Sequence, residues 1–300
     1  LNVDGWPPLP LAAWADTYAT LHMWSQVAGK VRLALAPPVN HWWHVPLYVS
    51  ARGLTTSAIP YRGGAFEMTF DFVDHRLVIE TSGGTRRDIA LVPQTVADFY
   101  HLVMAALRDL GIDVRIWPMP VEVPSPVRFD RDTQHGSYDA GAVTRFWRVL
   151  LAADTVLKEF RGRFIGKSSP VHFFWGSFDL AVSRFNGRPT DAKADADRIT
   201  REAYSHEVTS AGFWPGTVTE GTPAMEAAFY AYAVPEPPGY KTARARPAAA
   251  TYSRDLNEFI LRYDDVRTAA SPREALLEFL QSTYEAGANL ARWDRRTLER

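Results

Sequence analysis

One motif occurs twice in this chain, and it constrains the fold more than any other feature. Residues 29–50 read GKVRLALAPPVNHWWHVPLYVS, and residues 166–181 read GKSSPVHFFWGSFDLA. In both, Gly-Lys closes a helical pattern. A strand then opens on His and two aromatics: His41-Trp42-Trp43, and later His172-Phe173-Phe174. Two copies of one unit predict a pseudo-symmetric fold with a cleft between its halves.

The rest of the chain fits that division. Leu11, Trp14, Tyr18, Leu21 and Ser25 share a helical face after Pro7, Pro8 and Pro10, and Gly29 is placed to end that helix. Strands are expected at 30–36 and 41–52, with Pro37, Pro38 and Asn40 between them. Phe66, Met68, Phe70 and Phe72 alternate with Glu67, Thr69 and Asp71, the pattern of a half-buried strand. Further strands are expected at 76–81 and 86–92, then a helix from Asp98 to Leu110 stopped by Gly111. A proline-rich connector, 118–138, separates a first half (1–117) from a second (139–300). The second half opens on a helix near Asp139, with Val143, Phe146, Trp147, Leu150, Leu157 and Phe160 on its apolar side. A strand at 170–184 follows, then an inserted helix at 191–209, strands at 224–234 and 256–263, and a last helix after Ser271-Pro272-Arg273-Glu274.

Composition narrows the function. With 46% hydrophobic and 13% aromatic residues, the 300-residue chain can bury a large core. A formal charge of −1 gives no reason to expect a nucleic-acid partner or an anionic membrane surface. The chain has no cysteine, which excludes disulfides, thiol nucleophiles and thiolate metal sites and fits a cytoplasmic protein. No apolar run reaches the length of a membrane span, and no signal peptide is expected.

The strands after each Gly-Lys carry the functional clue, because side chains alternate across a sheet. One face of the expected strands holds His41, Trp43 and Val45, then His172, Phe174 and Phe178, and should pack on helices. The opposite face holds Trp42, His44 and Tyr48, then Phe173, Trp175, Ser177 and Asp179. Rings interleaved with polar groups suit a small-molecule pocket. The expected ligand-binding residues are Trp175, Phe173, Trp42, His44, Tyr48, His172 and Tyr138. Candidate acid–base groups are Asp179, Glu202, His206 and His135. Glu202 and His206 are four residues apart and would share a helix face, and a His held by a carboxylate is the minimum for proton transfer. Phe229, Tyr230 and Tyr232 read as core and sheet-surface residues.

No cofactor or metal is expected. His41 and His44 would point to opposite faces of a strand, so a metal would need distant ligands such as His172, His206 and Glu207. Gly162-Arg-Phe-Ile-Gly166-Lys167-Ser168 is one residue short of a phosphate loop and follows a helix instead of a strand. There is no dinucleotide fingerprint and no nucleophile elbow.

NHWWHVPLYVSARGLTTS, SPVHFFWGSFDLA, REAYSHEV, GFWPG and FLQSTYEA together span most of the chain. They resemble the conserved blocks of a bacterial family of unknown function, DUF5996. The resemblance implies a soluble bacterial protein and brings no activity with it. The sequence therefore leads to an α+β protein of two similar helix–strands–helix halves, mostly antiparallel, around an aromatic cleft. Its expected role is binding a small organic ligand, with His and carboxylate acid–base chemistry if it is an enzyme. The alternatives are a non-catalytic structural or interaction module and a metal-dependent enzyme.

Overall fold

The apolar stripe that begins near Trp14 runs on as one helix, α1 (Ala15–Leu35), past the glycine expected to end it. The computed structural model describes residues 5–191, 196–217 and 225–300. Gly29 lies inside α1 because the Trp175 indole packs on it: a Cβ there would come within 2.3 Å of the ring. The strand expected at 30–36 is the end of this helix. Val31, Leu33 and Leu35 alternate as a strand would, but Lys30, Arg32, Leu33 and Ala34 are good helix formers and extend α1.

A 3₁₀ turn at Asn40–Trp42 replaces the start of the strand expected at 41–52. His41 and Trp42 are left-handed, with φ of 58° and 61°, which no strand accommodates. The match to the second His-aromatic-aromatic block is therefore not a match of local structure. The strands of the first sheet are β1 (Tyr48–Ser50), β2 (Gly53–Thr55), β3 (Ile59–Tyr61), β4 (Gly64–Asp71), β5 (Arg76–Thr81) and β6 (Arg86–Ala90). They run β1-β2-β4-β5-β6, with β3 also on β4. The alternation in β4 does what it predicts: Phe66, Met68 and Phe70 are buried. Helix α2 (Val96–Asp109) is capped by Thr95, whose Oγ1 accepts the Asp98 N–H at 3.0 Å. Phe99 of α2 stacks on Trp24 of α1, ring centroids 4.6 Å apart.

Asp139 caps α3 (Ala140–Gly162) by accepting the Ala142 N–H at 3.0 Å. The strand expected at 170–184 is a hairpin, β7 (His172–Phe174) and β8 (Asp179–Pro189), with a turn between them in which Phe178 has φ 59°. Cross-strand pairs share a face, and here Phe174 pairs with Asp179 and Phe173 with Leu180. The hairpin thus inverts the expected alternation. Phe173 joins the core face, while His172 and Phe174 share the face of Asp179.

The expected helix at 191–209 reduces to α4 (Arg198–Ala203), and His206 opens a strand, β9 (His206–Thr217). Part of that expectation, 192–195, and Ala224 of the expected strand at 224–234 lie outside the described residues. The remaining elements are β10 (Met225–Val234), β11 (Thr251–Ser253), β12 (Glu258–Arg262), α5 (Tyr263–Arg267), α6 (Pro272–Leu290) and α7 (Arg295–Leu298). Pro272 opens α6 as expected, but the Ser271 side chain makes no capping bond. The second sheet runs β11-β12-β10-β9-β8-β7. Every strand pair in both sheets is antiparallel, and the protein is α+β.

One face of the second sheet, with Leu180, Val182, Phe213, Phe229 and Leu261, is buried and packs on α3, α5 and α6. Each such side chain contributes about 1.5–3 kcal/mol through removal from water. The sheets meet where Leu47 and Phe173 exchange two backbone hydrogen bonds, each 2.8 Å. No helix among the described residues is long and apolar enough to cross a membrane.

Candidate functional site

The opposite face of the second sheet carries Tyr230 and Tyr232 of β10, Trp214 of β9, Asp179 of β8 and Glu258 and Ile260 of β12. These residues line a cleft of about 940 Å³, a size suited to a drug-sized ligand. Glu122 of the connector and Tyr204, just beyond α4, complete its walls.

Asp179 is only 7% exposed. Its carboxylate accepts hydrogen bonds from the Ser177 and Tyr230 hydroxyls. Tyr230 reaches it by crossing β9 over Gly212, its cross-strand partner. A Cβ on Gly212 would lie 2.6 Å from the Tyr230 hydroxyl and 2.1 Å from the Leu180 carbonyl, so this crossing requires glycine. Tyr232 stacks against Tyr230, centroids 6.1 Å apart, and its hydroxyl lies 3.0 Å from that of Tyr204.

Glu122 is held over the cleft from outside the sheet. The Gln26 amide of α1 brackets Val121, donating to its carbonyl at 2.8 Å and accepting its N–H at 2.9 Å. Glu122 itself has a left-handed φ of 57°, a conformation that costs a non-glycine residue energy. Next to it, Nε2 of His22 lies 2.8 Å from the Gly176 carbonyl. Burial pushes that imidazole down to about 4, so it is neutral and Nε2 donates.

The cleft perturbs its own acids. Burial raises Asp179 above the usual carboxylate range, and the hydrogen bonds from Ser177 and Tyr230 only partly offset this. Partial loss of solvent, then repulsion from Asp179, raises the exposed Glu122 and pushes the half-buried Glu258 up to about 7. Among the described residues neither Glu122 nor Glu258 makes a side-chain hydrogen bond or ion pair. A carboxyl near 7 can give or take a proton at neutral pH.

The perturbed Glu258 has a consequence for stability. Its folded pKa, about 7, exceeds its ordinary 4.5. Between those values the folded protein binds more protons than the unfolded chain, so this group lowers stability as pH rises through that window. Glu258→Gln should therefore be more stable than the parent at about pH 8, by ~1–2 kcal/mol once partial exposure is allowed for. The two should be alike near pH ~4, where Glu258 is protonated. Melting temperatures of both proteins across this range check the prediction, and parallel curves would refute it.

Residues 6–300 match the family of unknown function DUF5996. The chain belongs to that family. No curated protein matches it, and no solved structure does. The site in this member of DUF5996 rests on its own geometry.

Of the side chains expected in the site, Asp179 alone lines the cleft. Trp175 lies in the β7–β8 turn, packed on Gly29, with its Nε1 donating to the Val45 carbonyl at 2.8 Å. Phe173 is in the core, edge-on to Phe146 and Phe178. Trp42 and His44 stack on each other at 5.3 Å, with the Arg198 guanidinium 5.6 Å from Trp42. Tyr48 and His172 pack edge to face at 5.5 Å. Burial and the nearby Arg32 and Arg161 charges push His172 down to about 3, so it is neutral. His135 is bound to Asp132 at 2.7 Å, and Tyr138 to His75 at 2.8 Å, both beside the first sheet.

Glu202 and His206 do not share a helix, and among the described residues no hydrogen bond joins their side chains. His206 instead lies 6.0 Å from His41, whose Nε2 is 2.7 Å from Lys167 Nζ. His41, His44, His172 and His206 thus pack among aromatic rings outside the cleft. Among the described residues no three His, Asp or Glu side chains are placed to hold a metal ion. Glu122, Tyr204, Trp214, Tyr230, Tyr232 and Glu258 were not foreseen. The one sequence signal was hydroxyl-bearing Tyr230 and Tyr232 at strand spacing among alanines, which placed them on one face.

Proposed function

We propose that this protein binds a small organic ligand in the cleft of the second sheet, and that any chemistry there is acid–base catalysis by carboxylates. The observation that carries this reading is buried Asp179, held by Ser177 and Tyr230 at the floor of a cleft walled by Tyr232, Tyr204 and Trp214. Proton transfer falls to Asp179 and Glu258, because the histidines lie elsewhere. We further infer a pseudo-two-fold relation between the halves, supported by two antiparallel sheets that meet at Leu47 and Phe173. In that relation Leu47 of the first half corresponds to Phe173 of the second. The absence of cysteine and the near-zero net charge support a cytoplasmic protein without a nucleic-acid partner.

The test uses a variant that fills the cleft without altering its charges. Ile260 lies on the cleft wall. Ligand-detected NMR of a fragment library should find binders to the parent protein that Ile260→Trp no longer takes up, with its melting temperature retained. A library whose binders are all indifferent to Ile260→Trp would show that the cleft is not the ligand site.

A further inference from the structure

Four aspartates are almost wholly buried: Asp71, Asp132, Asp154 and Asp179. Three of them have a basic partner. Asp71 pairs with Arg52 at 2.8 Å, Asp154 with Lys158 at 2.6 Å and Asp132 with His135 at 2.7 Å. Asp179 has only the Ser177 and Tyr230 hydroxyls, and among the described residues no cation answers it. A buried charge is costly unless paired, so Asp179 is the exception among the four: no described residue supplies its cation.

The surroundings deepen the deficit. Glu122, Asp191 and Glu258 line the same cleft from three further segments of the chain. Arg201 is the one basic side chain among the described lining residues, and its Nη2 is engaged by the Ala196 carbonyl at 2.8 Å. A fifth acid, Glu236, is matched locally by Lys241 at 3.5 Å.

We propose that the ligand of this cleft is an organic cation, a molecule with an ammonium or guanidinium group on an apolar body. This rests on the cleft being the ligand site. The cation takes the place that a basic side chain holds at Asp71, Asp132 and Asp154. Faces of Tyr204, Tyr232 and Trp214 suit both parts of such a molecule, since aromatic rings attract cations and cover apolar surface. The acids do not converge closely enough for a metal ion; they stand on separate walls of a space that holds a drug-sized body. Binding is linked to proton release: a bound cation favours ionised Glu258, whose carboxyl is held near 7, so affinity rises with pH through that range.

Three indole probes of matched size test the charge preference: tryptamine (cation), tryptophol (neutral) and indole-3-propionate (anion). Calorimetric titration of each into the full chain should show tryptamine at least about tenfold tighter than the other two at about pH 8, and weaker at about pH 6. Glu258→Gln should weaken tryptamine and flatten its pH dependence, and Ile260→Trp should abolish its binding. If tryptophol or indole-3-propionate binds as tightly as tryptamine and is still blocked by Ile260→Trp, the cation assignment is overturned and the ligand site stands. If tryptamine does not bind while library fragments sensitive to Ile260→Trp do, the cation assignment again fails alone. If neither the probes nor any fragment depends on Ile260, both readings fall.

Discussion

Trp175→Ala is expected to destabilise the protein by about 3–5 kcal/mol, the range for deleting a large buried ring, while leaving ligand uptake in the cleft intact. The indole is 7% exposed, fills the space left by Gly29 and donates its N–H to the Val45 carbonyl at 2.8 Å. The Lys30 ammonium also stands 5.7 Å from the ring. Removing the ring opens a cavity between α1 and the β7–β8 turn and leaves the Val45 carbonyl short of a donor. Trp175→Phe keeps most of the packing and loses the hydrogen bond, so it should cost only about 1–3 kcal/mol. Denaturant titration of both variants, beside a binding assay with a cleft fragment, checks this. Parent-like stability with lost binding would instead return Trp175 to the ligand site.

Asp179→Asn should do the opposite. Asn is close to Asp in shape: its carbonyl oxygen can accept from Tyr230 and its amide can donate to the Ser177 oxygen, so the local geometry survives. What disappears is a buried acid for which no described residue supplies a cation. Melting temperature should hold or rise slightly. Ligand uptake should weaken about 10–100-fold, since a hydrogen bond to a charged group is worth about 1.5–3 kcal/mol. Titration of a cleft-bound fragment against both proteins, with their melting curves, decides it. A lowered melting temperature with affinity unchanged would make Asp179 a structural group only.

Much of the fold was legible because its signals are local. The alternation Phe66-Met68-Phe70, the Gly111 stop and the apolar stripe from Val143 to Phe160 each report the geometry of a few neighbouring residues, and each element formed near its expected place. Readings failed where one local pattern admits two structures. Val31, Leu33 and Leu35 suit a strand or a helix, and the good helix formers between them carry α1 on through Leu35. Glu202 and His206 have helical spacing, yet pairing of β9 with β8 and β10 draws His206 into a sheet.

The candidate site was legible at one residue, Asp179. The expectation reached it by running a single strand through 170–184, and the turn at 175–178 then reversed which neighbours share its face. Its actual companions come from segments far apart in the chain: Glu122 from the connector, Tyr204 from beyond α4, Tyr230 from β10 and Glu258 from β12. The sequence by itself determined those helices and strands whose periodicity fits one structure only, such as β4 and α2, and that the core would be large and aromatic, because side-chain periodicity and burial are properties of each segment. Only the tertiary structure decided which carboxylates meet in one cleft and which of them find no basic partner among the described residues, because a side chain's electrostatic neighbours depend on strand order, hairpin register and the course of the connector.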